Sequence, residues 1–208
     1  MLDKIIRDCS GASLVEFTLV FPIVIAVTFG TVDFLYMLHE WNMASKATYR
    51  GARFAIRSNP AMVGVTNPAF TPGHPGDPCF VLATGAPDGT VNCPTFNLAC
   101  SSATPCDDPA AFADIVAEMQ ATFLRIEPQH VLVRYQSTGL GFSDSPYGLP
   151  AAVTVSLQCM AHQTFFFGAW MGWLFPPASA CVPARSIAMP VFASTLPSED
   201  LSGTRAAP

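Results

Sequence analysis

Charge is scarce in this chain. Only 12% of its 208 residues are Asp, Glu, Lys or Arg, while 50% are hydrophobic. From Phe17 to Val32 there is no charged residue at all. That is too apolar for an ordinary soluble domain and too mixed for a polytopic membrane protein, so one membrane segment with an attached ectodomain fits better. Basic residues are scarcest beyond Asn59: six of the ten Lys and Arg precede it, whereas ten of the fifteen acids follow. An acidic ectodomain without a basic patch argues against nucleic-acid binding. P-loop, GxSxG and HExxH patterns are lacking. His39, His74, His130 and His162 lie far apart, without local acid or nucleophile patterns. The expectation is a protein that is not an enzyme, with no catalytic residue, cofactor, metal or small-molecule substrate.

CxxC spacing is also lacking, which disfavours zinc. Cys79, Cys93, Cys100, Cys106, Cys159 and Cys181 form an even set apart from Cys9. Three disulfides in an oxidising compartment are expected, with Cys159 pairing Cys181 and the other four pairing locally.

What is present begins with an apolar run from Phe17 to Leu38, interrupted only by Asp33. Roughly 22 residues give about 33 Å of helix, enough to cross a bilayer. Pro22 bends such a helix, and a membrane helix tolerates it. The run is too long for a signal-peptide core and no small-x-small cleavage site follows it closely. A short polar leader with Lys4 and Arg7 ends at Gly11, and one acid, Glu16, stands at the mouth of the run before Phe17. Cutting after Gly11 makes Ala12 the first residue and Glu16 the fifth. This pattern resembles prepilins trimmed by a membrane peptidase on the cytoplasmic side, and the Glu-Phe form resembles the Flp/Tad branch. A carboxylate alone in an apolar setting is costly; paired with a new amino terminus on a neighbouring subunit it is much less so. Asp33 sits either at the outer interface or against a partner helix.

Past the run, "HEWNMASKATYRGARFAIR" stays helical in pattern. Lys46, Arg50, Arg53 and Arg57 form one stripe, and Ala44, Ala47, Gly51 and Ala55 the opposite side. The small residues permit close approach to a sheet or another helix. The stripe is a solvated face, or it meets acidic headgroups or the acidic ectodomain of a neighbour. Four bases beyond the span against two in the leader run counter to the positive-inside rule. The six ectodomain cysteines and the processing pattern together favour the leader inside.

In order, Gly11, Glu16, Phe17, Pro22, Asp33 and the "GAR" of Gly51, Ala52 and Arg53 resemble the TadE-like family of pilus assembly proteins, minor pseudopilins of the Flp/Tad system. The resemblance covers about the first sixty residues. It implies prepilin-peptidase processing at Gly11–Ala12, subunit assembly through Glu16 and Phe17, and helix packing or partner contact at Pro22, Asp33, Gly51 and Arg53. It further implies pilin-like subunits, Tad inner-membrane machinery and the lipid bilayer as partners. The location implied is the bacterial inner membrane, with a periplasmic C-terminal domain, extending to incorporation in an extracellular pilus used in adhesion, biofilm or secretion. The alternative is an uncleaved, single-pass binding module of the envelope.

The expected organisation is a leader over 1–11, a transmembrane helix over 12–38 and a helix extension over 39–58. A Pro/Gly/Cys-rich loop over 59–108, an α+β ectodomain over 109–193 and a flexible tail over 194–208 follow. In the ectodomain, Asp108 caps a helix that starts at Pro109 and has an apolar face of Phe112, Ile115, Val116, Met119 and Phe123. "HVLVRYQS", "AAVTVSLQCM" and, less cleanly, "ARSIAMPVFA" read as strands. The fold class is therefore α+β: a long N-terminal transmembrane helix continuing into a pilin-like ectodomain, with an antiparallel sheet of about three strands packed on helices and a disulfide-stapled loop. "TFFFGAWMGWLFPP", too short to span, reads as a strand extension, a buried helix or an exposed docking patch.

Overall fold

The computed structural model describes residues 10–65, 95–139, 151–164 and 186–198, with backbone alone for 10–13. The leader up to residue 9, the centre of the Cys-rich loop, the 140–150 loop and the aromatic stretch from 165 lie outside the described residues, as do Cys79, Cys93 and Cys181.

Helix α1 runs without a break from Ser10 to Ala55, with Pro22 inside it. Its threonines bond back along the helix: Thr18 donates to the Val15 carbonyl at 2.9 Å and Thr31 to that of Thr28 at 2.7 Å. A hydroxyl satisfied by its own helix does not need water, which suits an apolar surrounding. The chain divides into two compact units. The first combines α1 as far as Glu40 with residues 161–188, and its described ladder pairs β4 (Ala161–Gln163) with β5 (Ser186–Ala188).

The second unit combines α1 from Trp41 onward with residues up to Met160 and from Met189. It holds β1 (Asn97–Ser101), α2 (Pro109–Gln120), β2 (Val131–Ser137), β3 (Ala151–Leu157) and β6 (Phe192–Pro197). The sheet is antiparallel in the order β1-β2-β3-β6. Alternation decides its faces. Val131, Val133 and Tyr135 of β2 and Val153 and Val155 of β3 are buried, while Arg134 and Gln136 are exposed. On the far face Thr154 and Thr195 share a hydroxyl hydrogen bond at 2.8 Å.

Helix α2 begins as its sequence dictates. Asp108 Oδ1 accepts from the backbone N–H groups of Ala110 and Ala111 at 3.0 and 3.1 Å, with Pro109 in the first turn. Phe112, Ile115, Val116, Met119 and Phe123 are all buried. The small side of α1 is buried too: Ala44, Ala47 and Ala55 have no exposed surface. At Gly51 an added Cβ would lie 2.6 Å from Met119 Cγ and 3.4 Å from Val155 Cγ1. The helix approaches both α2 and β3, and a glycine is what lets it come so near.

Two boundaries move. The sheet has a fourth strand, β1, drawn from the segment expected to be loop, with Cys100 opposite Val133. Cys100 and Cys106 form a disulfide, the local kind of pairing expected for that segment. The Cys100–Cys106 link turns the chain sharply, and Thr104 and Ser101 close the turn through a 2.8 Å backbone bond. Edge strands this short carry little periodic signal, and turn residues on both sides hid it. Residues 194–197, expected in the tail, belong to β6, where Thr195 pairs with Thr154 and Leu196 with Val153.

Tyr135 ties the sheet to the chain leaving α1: its hydroxyl accepts from the Ala61 N–H at 3.1 Å. Burial pushes the phenol above its ordinary pKa of 10.0, partly offset by that bond. A raised acid keeps its proton when folded and loses it when unfolded. Its stability contribution is therefore complete below pH 10.0 and declines as pH rises from there towards the folded value. Tyr135→Phe strands the Ala61 N–H and should cost about 1–3 kcal/mol. It should also flatten the alkaline part of the stability profile, measured by denaturant titration; an unchanged midpoint and slope would discount the bond.

Candidate membrane and assembly site

The stretch Leu14–Ala55 is long and apolar enough to cross a membrane, and none of its most apolar eighteen-residue window is buried within the chain. Every residue from Leu14 to Val24 is exposed. Leu19 is 67% and Ile23 64% exposed, far above what water tolerates along a continuous helix. Such a surface is compatible with a single-pass membrane anchor. Phe17 is itself exposed and stacks on Phe21 with ring centroids 5.2 Å apart, one turn on.

Glu16 stands in this field. Its side chain is exposed, and among the described residues no cation lies against it. Its neighbours at three, four and seven residues on are Leu19, Val20 and Ile23, all apolar and exposed. Gly11 and Ala12 lie in the opening turn of α1, one helical turn before Glu16. The carboxylate thus projects from the helix surface into whatever covers the apolar rod.

Asp33 differs. It is buried within the chain, 5% exposed, and has a partner there. Glu40, seven residues on and hence on the same face, is 2% exposed. Glu40 Oε2 lies 2.6 Å from His162 Nδ1, and His162 has no exposed surface. The Tyr36 ring sits 5.7 Å from the imidazole. Nδ1–H donates to the carboxylate, whereas the other ring nitrogen, Nε2, has no hydrogen-bond partner among the described residues. Sequence reasoning missed this pair because 122 residues separate its members. The one available signal was an acid, Glu40, seven residues and so about two helical turns along the same face from Asp33, in line with Ala44 and Ala47.

The other expected site residues separate cleanly. Pro22 is on the bare helix and exposed, and Gly51 is internal, packed on Met119. Arg53 is exposed with Lys46, Arg50 and Arg57. Cys159 is disulfide-bonded, and its partner is not among the described residues. No group of three or more His, Cys, Asp or Glu among the described residues is placed to hold a metal ion.

No curated protein and no solved structure matches this chain. Residues 11–53 match the family model described as TadE-like protein. That span opens at the Gly11–Ala12 bond, contains Glu16 and the whole bare apolar stretch, and closes at Arg53, so over it the long helix is similar to TadE-like proteins.

Proposed function

We propose that this chain is a membrane-anchored minor pseudopilin that takes part in assembling a Flp/Tad-type pilus. The observation that carries the reading is an unburied apolar helix bearing a lone exposed acid at its start, in a segment of TadE-like sequence. In this reading the helix anchors the protein in the inner membrane, with the leader cytoplasmic and the α+β unit periplasmic. A prepilin peptidase hydrolyses the Gly11–Ala12 peptide bond and leaves an ammonium on Ala12. Glu16 of one subunit then meets the ammonium of an adjoining subunit as helices pack. In low dielectric each charge alone costs several kcal/mol, and the pair offsets much of that while fixing axial register. The role is associative, not enzymatic, and its partners are pilin-like subunits and the Tad inner-membrane machinery.

The intact mass of the protein purified from its own host should begin at Ala12. Glu16→Gln should insert in the membrane normally, yet its amount in sheared pili should fall more than about tenfold, since the Ala12 ammonium loses its counter-charge. Retention of the leader, with fibre content unchanged by Glu16→Gln, would instead describe an uncleaved envelope binding module.

A further inference from the structure

The geometry points to the basic stripe of α1 as a docking groove for an acidic segment of another protein. Lys46, Arg50 and Arg53 are exposed along one side of the helix over about 10 Å, and exposed Arg57 follows just past its end. They do not stand on a flat face. Tyr49, Arg50, Arg53 and Phe54 of α1, and Arg57 just past its end, line a concavity with Glu118 of α2. Tyr49 is 50% exposed, so an aromatic ring lies beside the cations. A second concavity begins at Tyr49 and Arg50 and runs past Lys46, Thr122 and Ser194. The two share the Tyr49–Arg50 ridge, giving one elongated basic track with an aromatic centre.

One carboxylate already shows what this track accepts. Arg50 Nη2 lies 2.9 Å from Glu118 Oε1, and its Nη1 donates to Thr122 Oγ1 at 3.0 Å. No carboxylate among the described residues pairs with Lys46, Arg53 or Arg57; the Arg57 Nε donates only to the Arg53 carbonyl, at 3.4 Å. Three cations therefore line the groove with donors to spare. Guanidinium forks favour paired carboxylate oxygens, and the tyrosine face adds contact for the connecting backbone.

Lipid headgroups would offer anions too, but the stripe stands too far along the helix. The apolar run ends at Leu38, and Arg53 and Arg57 follow fifteen and nineteen residues later. At 1.5 Å per residue Arg53 stands about 22 Å along the helix from Leu38, with Arg57 just past the helix end, whereas a headgroup layer is only about 5–7 Å deep. Even a tilt of about 40° leaves both arginines well clear of it. A carboxylate-rich polypeptide can reach that height; a headgroup cannot.

The test uses the full chain in phosphatidylcholine nanodiscs and a fluorescein-labelled peptide alternating glutamate and alanine, followed by anisotropy. Binding should weaken as salt rises from about 50 mM to about 500 mM, and a lysine–alanine peptide should not bind. The double variant Arg53→Glu/Arg57→Glu should bind more than about tenfold more weakly, whereas Arg53→Lys/Arg57→Lys should stay within about threefold of wild type. These positions are exposed, and circular dichroism on both variants checks that folding is intact. Failure of the wild type to bind, or equal binding by the charge-reversed variant, overturns the proposal. So does protection of the Arg53–Arg57 amides by phosphatidylglycerol discs in place of the peptide, which would assign the stripe to lipid.

Discussion

His162→Ala should weaken the unit that contains β4 and β5 by about 3–5 kcal/mol, because it removes the imidazole that the buried Glu40 meets at 2.6 Å and leaves that contact unfilled. Glu40 is 2% exposed and its Oε2 is 2.6 Å from His162 Nδ1, so neither partner can turn to solvent without opening the packing around it. The arrangement is not an efficient way to gain stability. His162 Nε2 is buried and has no hydrogen-bond partner among the described residues, so the ring bears a desolvation cost on one side while bonding on the other. Replacing both partners by apolar residues should therefore do far less harm than removing one. Glu40→Leu with His162→Leu is expected to recover most of the loss, and Glu40→Gln, which keeps an acceptor for Nδ1–H, to fall between. The measurement is hydrogen exchange of the Ala161–Gln163 and Ser186–Ala188 amides in the full chain, which reads the opening free energy of that ladder directly. If His162→Ala exchanges within about 0.5 kcal/mol of wild type, the Glu40–His162 contact does not hold that ladder.

That pair also marks where the sequence stops speaking. Local signals were legible. The uncharged run announced α1, Asp108 before Pro109 announced the start of α2, and alternation announced β2 and β3. Each of these depends on residues within one or two turns of each other. The small residues at 44, 47, 51 and 55 announced a face that packs closely, and the structure places Met119 and Val155 against it. What escaped depends on the meeting of distant segments. Strand β1 is an edge strand held by its pairing to β2 and by a turn closed at Cys100–Cys106, with no hydrophobic period of its own. Strand β6 continues to Pro197 because an edge strand accommodates a proline at its end, while Pro190 made the strand pattern of "ARSIAMPVFA" less clean. Arg50 finds Glu118, and Glu40 finds His162, only after the chain has folded. On the assembly side, Glu16 was visible because it is an isolated acid in apolar sequence. Asp33, equally isolated, is covered by its own chain. Pattern alone gives these two acids the same weight, and burial separates them: one faces outward, the other is part of the interior.

Gly51→Leu should destabilise the sheet unit by about 3 kcal/mol, the upper end for overpacking, with Gly51→Ala costing less. The first added carbon already lies 2.6 Å from Met119 Cγ and 2.8 Å from its Sδ. Met119 has no exposed surface, so its flexible side chain can yield to a single methyl only by moving within the core. A leucine adds three further carbons and meets Val155, whose Cγ1 is 3.4 Å away and whose β-branched side chain is held by the strand. Helix propensity works in the opposite direction, since alanine and leucine favour helix over glycine by about 1 kcal/mol. The steric term must therefore exceed that gain for the prediction to hold, by a wide margin for Gly51→Leu and a narrow one for Gly51→Ala. Shortening the opposing side chain separates the two terms. Met119→Ala alone creates a cavity and should cost about 2–5 kcal/mol, but in the Gly51→Leu background the new leucine fills part of that space. The double variant should then be more stable than the sum of the single effects by at least about 1 kcal/mol. Denaturant titration of the four proteins in the same detergent supplies every value. Additivity would mean that α1 and α2 do not meet at this point, and a stabilised Gly51→Leu would mean that the helix is free to move away.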